Sequence, residues 1–276
     1  MRTCRRVTCC ALAMLAAAPA VAADAPPDEP PKPVDWKWEG ALGPVVSLAP
    51  QYSGSSSRRT SVSPGYYLRY GRISLSNASG FVTRRNKDDV FRGLGLDLKQ
   101  DDRLRLNVAL RIDNGRRSSD SSGLVGVEDV KRTVRARSSA TFQVAPTSKV
   151  ALGWSTDLLG RGGGNIVDLG ASHDRGWSAF TTWSVGASIS AADARNMRSY
   201  YGVTPAASAI NGLPVYEPGA GLRDVTLGTG WRTEVDDKWI VLWGGSVSRL
   251  VGPAARSPLT TAPRQWGVSA AIARRF

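Results

Sequence analysis

Cysteine is missing from everything beyond residue 10, because the chain's three copies are Cys4, Cys9 and Cys10. If the N-terminal segment is removed on export, the remainder has no disulfide scaffold, thiolate nucleophile or thiolate metal site. Histidine is as scarce: His173 is the single copy, so a Ser-His-Asp triad or a histidine metal site would have to be built on that one side chain. Its neighbour Ser172 stands in no recognisable hydrolase context. The glycine run Gly160-Arg161-Gly162-Gly163-Gly164 lacks a following Lys-Ser/Thr and opens no helix, so it reads as a tight surface loop and not as a phosphate cradle. The acid pairs Asp88-Asp89 and Asp236-Asp237 stand in turn sequences, where acids are ordinary. No catalytic residue, cofactor or metal is expected. Also absent is any apolar run of the ~20 residues that a membrane-spanning helix needs.

What is present begins with a compartment. Arg2, Arg5 and Arg6 precede a mostly apolar run from Val7 to Ala18, followed by Pro19 and Ala20-Val21-Ala22. That order predicts a secretory signal peptide over 1–22. Cys10 does not mark a lipoprotein, because the apolar run follows it. A leader over 23–36 contains Asp-Ala-Pro-Pro-Asp-Glu-Pro-Pro-Lys-Pro at 24–33, which cannot pair in a sheet and reads as a flexible or polyproline spacer. About 254 residues remain, enough for one large β domain over 37–276. Without the three signal arginines the net charge falls from +13 to +10. An exported basic chain meets lipopolysaccharide phosphates, anionic solutes or cell wall, and nucleic acid is not an expected partner.

The rest of the chain alternates. In 103–113, Leu104, Leu106, Val108, Leu110 and Ile112 share one face, while Arg103, Arg105, Asn107, Arg111 and Asp113 share the other. The same period of two recurs in 132–144, where Arg135 and Arg137 lie opposite Val134 and Ala136, and in 149–159. Collecting such segments gives about twelve strands (range 10–14): 37–49, 63–70, 72–82, 91–98, 103–112, 132–144, 149–159, 164–173, 177–189, 222–233, 238–250 and 265–276. Connections after even-numbered strands are short, at 70–72, 99–102, 145–148, 174–176 and 234–237. Those after odd-numbered strands are longer, and only 160–163 breaks the pattern.

Short turns at one rim and long loops at the other predict an all-β, transmembrane, antiparallel up-and-down barrel in the outer membrane of a Gram-negative bacterium, with lipid and lipopolysaccharide as surroundings. The last stretch, Gln265 to Phe276, carries Trp266, Val268, Ala270 and Ile272 on one face, with Arg274 close enough to the interface to reach water. Its parity places Phe276 at the periplasmic rim, near Trp36 and Trp38 of the first strand. There Phe276 is expected to serve as the signal read by the barrel-assembly machinery.

Arg103, Arg105, Arg111, Arg135 and Arg137 fall on neighbouring strands of the lumen face. They predict either a positive ladder that prefers anions, or an internal salt-bridge network with Asp97, Asp113 and Asp157 that plugs a narrow lumen. The second is favoured.

Three stretches resemble the MipA/OmpV family of outer-membrane proteins, the MltA-interacting proteins. Pro50-Gln51-Tyr52-Ser53-Gly54-Ser55 is similar to the family's P-x-Y-x-G-S. Tyr201-Gly202-Val203-Thr204, with Gly212-Leu213, Tyr216 and Ala220-Gly221-Leu222-Arg223-Asp224, matches in order and spacing. Ser248-Arg249-Leu250-Val251-Gly252-Pro253-Ala254-Ala255-Arg256-Ser257-Pro258-Leu259 resembles S-R-L-x-G-D-A-x-x-S-P-L. Pro253 departs from the usual aspartate, and Arg274 from a common aromatic. The resemblance implies a non-enzymatic scaffold that joins a murein lytic transglycosylase to a penicillin-binding protein in cell-wall growth. Some relatives are instead porin-like or adhesive. The motif residues Tyr52, Gly54, Tyr201, Gly202, Arg249, Leu250, Gly252, Ser257 and Pro258 are expected to shape loops that fold into the barrel mouth, in preference to contacting a partner.

Overall fold

The computed structural model describes residues 36–77 and 93–276. The expected signal peptide, the leader up to residue 35 and Asp88-Asp89 lie outside the described residues. Twelve strands follow one another: β1 Trp38–Pro50, β2 Arg58–Tyr70, β3 Ile73–Ser76, β4 Gly93–Gln100, β5 Leu104–Asp113, β6 Thr133–Ala145, β7 Ser148–Asp157, β8 Asn165–Gly176, β9 Thr181–Ala192, β10 Gly221–Glu234, β11 Trp239–Leu250 and β12 Arg264–Arg275. Each pairs antiparallel with the next, and β12 returns to β1, so the sheet closes into a barrel in chain order. Closure removes the edges that lipid could not hydrogen-bond.

The alternation seen in the sequence is what makes the wall. Along β5, Asn107 and Ala109 are buried inside while Leu110 and Ile112 stand exposed outside. The outer face continues with Val46, Val62, Leu152, Leu169, Leu227 and Val268, all exposed. An apolar belt of this extent around a closed barrel is a lipid-facing surface. At the short-turn rim Trp183, Trp231 and Trp243 stand side by side on β9, β10 and β11, with Trp231 and Trp243 stacked at 5.4 Å and Trp177 set edge-on to Trp231. Trp36 and Trp38 flank Tyr70 on the β1–β2 side. These rings mark the interfacial level of a membrane.

All twelve expected strands are present, with boundaries moved. Arg175 and Gly176 still pair with Trp183 and Thr182, so Asp174-Arg175-Gly176 ends β8 and does not turn. The reversal falls at 177–180, where the Ser178 hydroxyl accepts hydrogen bonds from the N–H groups of Phe180 and Thr181; this local serine turn outweighs the Asp-Arg-Gly cue. β2 starts at Arg58 and not near residue 63, because its Ser/Thr-rich beginning pairs row by row with β1 as far as Pro50. β3 is described only over Ile73–Ser76, and most of the remainder of the expected 72–82 segment lies outside the described residues. In the 235–238 turn, Asp236 Oδ1 accepts from the N–H groups of Lys238 and Trp239, both at 2.7 Å. Those bonds hold its pKa below the ordinary carboxylate value, which is turn chemistry and not acid/base work.

The closing seam depends on one glycine. A Cβ at Gly43 would land on the carbonyl oxygen of Ile272 and 2.7 Å from the Cα of Ala273, so β1 and β12 can approach this closely only because position 43 carries no side chain.

Candidate functional site

The chemistry-bearing side chains gather in the lumen and at the long-loop mouth. Lumen positions on β2, β4 and β5 meet at Asp97, which is 3% exposed. Its carboxylate accepts from Arg105 Nε at 3.0 Å and Nη2 at 2.7 Å, from Asn107 Nδ2 at 2.9 Å and from Arg69 Nη2 at 3.4 Å. Nearer the mouth, Arg135 is 1% exposed and donates to Asp113 at 2.7 Å and to the carbonyls of Gly163 and Gly164. Arg137 donates to Asp168 at 2.8 Å, and Ser190 donates to the other oxygen of that carboxylate. Arg111 lies opposite Arg135 in the β5–β6 register.

Arg69, Arg105, Arg135 and Arg137 therefore each face a carboxylate, as desolvated charges require. Arg103 does not join them; it sits exposed in the β4–β5 turn. Asp157 takes no arginine either. It accepts from the Thr133 hydroxyl and from the N–H groups of Leu159 and Gly163, and so shapes the 158–164 loop. Asp168, which reasoning from the sequence passed over, does the work expected of Asp157. Its inward position, two residues from Gly170 and four from Ser172, was the signal.

The short-turn end of the lumen is apolar on one side. Ile240 and Leu242 of β11 are 2% exposed and pack with Ala41, Ala271 and Ala273, with Val45 against them. Arg275 lies one inward position beyond Ala273 and donates to Glu234 at 3.4 Å, as does Arg232 at 3.0 Å. Lys149 faces Asp174 at 3.7 Å across β7 and β8. Water in an open pore at this level would touch Ile240 and Leu242; at 2% exposure it does not.

The mouth is closed by its own loops. Helix α1 (Ala194–Tyr201) and helix α2 (Pro205–Asn211) occupy the β9–β10 connection, and a single turn α3 (Gly252–Ala255) lies in the β11–β12 connection. Asp193 caps α1 by accepting from the Asn196 N–H at 2.8 Å, while its second oxygen accepts from the side chain and N–H of Asn165. Burial alone raises the Asp193 pKa, but these hydrogen bonds outweigh it and hold the carboxyl below its ordinary 3.8. The last carbonyls of α1 receive Arg116, whose guanidinium donates to Tyr200 O at 2.8 Å and Ser199 O at 3.3 Å. Burial, then the charge of Asp113, pushes the Tyr200 hydroxyl up to about 12, so it stays a donor, at 3.4 Å from Asp113.

The motif residues converge on this plug. The Tyr52 hydroxyl donates to Leu259 O at 3.2 Å, and the hydroxyls of Ser53 and Tyr201 meet at 2.8 Å. Ser257 Oγ donates to Tyr201 O at 2.6 Å. Gly54 adopts φ 103° and offers its carbonyl to the Ala262 N–H and the Thr261 hydroxyl. The Gly202 N–H closes α1 on Arg198 O, and Gly252 opens α3 at φ 54°. Leu250 is buried with Met197, Tyr201 and Ala254, and Pro258 stands between Ser257 and Leu259, both buried. Pro253 contributes through its backbone: its carbonyl accepts from Tyr216 at 2.8 Å, a contact that needs no aspartate side chain. Arg249 is the exception among the motif residues, since it faces outward from β11. At the opposite rim Phe276 exchanges two backbone hydrogen bonds of 3.0 Å with Gly40.

His173 faces outward near the short-turn rim, with its Nδ1 3.0 Å from Ser148 Oγ. The serine beside it is Ser148 and not Ser172, and among the described residues no carboxylate pairs with the ring. Among the described residues no cluster of three His, Cys, Asp or Glu is placed to hold a metal ion.

A closed, twelve-stranded transmembrane β-barrel with paired charges inside and interlocked loops at one mouth is the class these features define. The family profile described as "MltA-interacting protein MipA" matches residues 42–276, and the chain belongs to that family. No curated protein matches it. Among solved structures it is similar to a KdgM porin (8% identity, 86% of this chain and 99% of that one, TM-score 0.39). It is also similar to OmpT of Vibrio cholerae (6%, 87% and 97%, TM-score 0.40) and to the outer-membrane channel DcaP of Acinetobacter baumannii (10%, 87% and 96%, TM-score 0.42). Likenesses this distant add nothing to the barrel already traced.

Proposed function

We propose that the protein is a non-enzymatic scaffold of the Gram-negative outer membrane, docking a murein lytic transglycosylase and a penicillin-binding protein at its periplasmic, short-turn rim. The observation that carries this reading is the filled lumen. Arg69, Arg105, Arg135, Arg137 and Lys149 each face a carboxylate on the inner wall, and Ile240 and Leu242 are 2% exposed at its short-turn end, which supports surface and not passage. The family's description, MltA-interacting protein, points to a partner, and the resemblance set out above gives that partner's class as a lytic transglycosylase. The turns at 177–180 and 235–238 supply a surface: the Glu234 N–H bonds to Phe180 O at 2.8 Å, bringing the exposed Phe180 and Val235 to neighbouring positions.

Immobilised full-length barrel is expected to retain both a transglycosylase and a penicillin-binding protein, and Phe180→Ser with Val235→Ser is expected to weaken retention about tenfold, the loss of roughly 1.4 kcal/mol of contact. Retention of neither enzyme by the unaltered barrel would sink the scaffold. In planar bilayers the same protein should pass no steady current. A stable anion-selective conductance would favour the alternative, a small channel for anionic solutes, over the filled lumen.

A further inference from the structure

At the long-loop rim, the outer wall of one sector carries paired charge. Arg249 of β11 and Arg264 of β12 are direct cross-strand partners, and both side chains point outward and are exposed. Two strands along, Arg58 of β2 also points outward, its guanidinium 3.9 Å above the ring of Trp266. Elsewhere the corresponding outward positions hold Ile112, Leu158 and Leu222.

Like charges directly opposite each other on a sheet destabilise it. Among the described residues, neither Arg249 nor Arg264 has a carboxylate or a hydrogen-bond acceptor for its side chain, unlike the arginines of the lumen. Below the arginines the wall is apolar, with Val247, Trp266 and Val268 exposed toward the bilayer. A basic rim standing on an apolar wall at the level of lipid headgroups is complementary to an anionic amphiphile. Guanidinium pairs phosphate in a two-pronged geometry, and a phosphate between Arg249 and Arg264 converts their repulsion into a bridge.

We propose that Arg249, Arg264 and Arg58 form a binding site for a phosphorylated lipid of the outer leaflet, with its phosphate between the paired arginines and its chains on the wall below. The site rests on the orientation given above, long loops outward, and not on the scaffold role. Lipid binding and enzyme retention are separate assays, so either can fail without the other.

The test is native mass spectrometry of the folded full-length barrel in neutral detergent, titrated with purified bisphosphorylated lipid A and, in parallel, with phosphatidylcholine. Lipid A is expected to give a discrete adduct that phosphatidylcholine does not. Arg249→Ser with Arg264→Ser should weaken it about tenfold or more, Arg58→Ser less, and higher salt should weaken it further. Arg274→Ser, which removes an outward arginine at the other end of β12, should leave it unchanged. Because the double substitution removes a like-charge contact, the variant is expected to unfold in neutral detergent at the same temperature as the unaltered barrel or higher. Equal lipid A adducts in the double variant and the parent, or equal binding of phosphatidylcholine, overturns the site. So does loss of the adduct accompanied by an unfolding temperature lowered in neutral detergent, because the arginines would then be structural.

Discussion

Replacing Asp97 with alanine is expected to cost the folded barrel about 3–5 kcal/mol, the penalty of leaving buried charge without its partner. Asp97 is 3% exposed, and the two arginines it serves, Arg105 and Arg69, have side chains only 12% and 15% exposed. Alanine takes from Arg105 the carboxylate to which it donates twice and takes one bond from Arg69, which keeps Gly71 O and Gln100, and Asn107 loses that acceptor as well. A urea titration of the refolded barrel in detergent micelles reads the loss as a lowered midpoint. The pair to compare with it is Asp97→Ala combined with Arg105→Leu: once charge is removed from both sides, most of the stability should return, because a buried ion pair is worth little against apolar packing of similar volume. A midpoint unchanged by Asp97→Ala alone would mean that water reaches the lumen at this level, and the filled-lumen account would fall with it.

Gly43→Val should break the wall at its closing seam. The obstacle it meets is backbone, the Ile272 carbonyl and Ala273 Cα, so no side-chain rotation relieves it; β1 has to move away from β12. That seam is where the sheet closes on itself, and parting it exposes ladder groups on both strands to lipid. The cost is expected to exceed about 4 kcal/mol, the range of mutations that break a packing arrangement outright. Gly176→Val is the control, since nothing stands within 4 Å of a Cβ there. The fraction of protein that resists detergent unfolding before heating, measured on gels, should collapse for the first and hold for the second. Equal fractions would disprove the seam argument.

How far the molecule was legible from residue order depends on which interaction is asked about. The wall was readable because inside and outside differ in polarity at every second residue of β5, β6 and β12, and because turns and loops alternate in length. β11 was harder to read. Trp239-Ile240-Val241-Leu242-Trp243 is apolar on both faces, since Ile240 and Leu242 turn inward onto Ala271 and Ala273, and a period of two cannot show which parity faces the lumen. Arg105, Arg111, Arg135 and Arg137 lie on β5 and β6, whereas Arg103, expected with them, lies in the turn before β5, and the partners of the four were not fully foreseeable. Arg137 finds Asp168 two strands away, while Asp157 is spent on Thr133 and its own loop. The motif residues were expected to fold into the mouth, but the contacts that lock it could not be read from sequence. Tyr52 reaches Leu259 and Gln265 reaches Ser55 across more than two hundred residues, and nothing local specifies contacts of that separation.

The tryptophans at the short-turn rim carry one more consequence. Trp231 and Trp243 lie at 5.4 Å with their planes only 9° apart, and they belong to strands that meet only when the sheet is correctly registered. Two indoles this close share their electronic excitations, so the native barrel should show a paired positive and negative band in its ultraviolet circular dichroism that the separated chromophores lack. Trp231→Phe, which removes the ring that Trp177, Trp183 and Trp243 all approach, should erase that couplet while leaving the β-sheet signal, giving an optical readout of register in which every variant above can be followed.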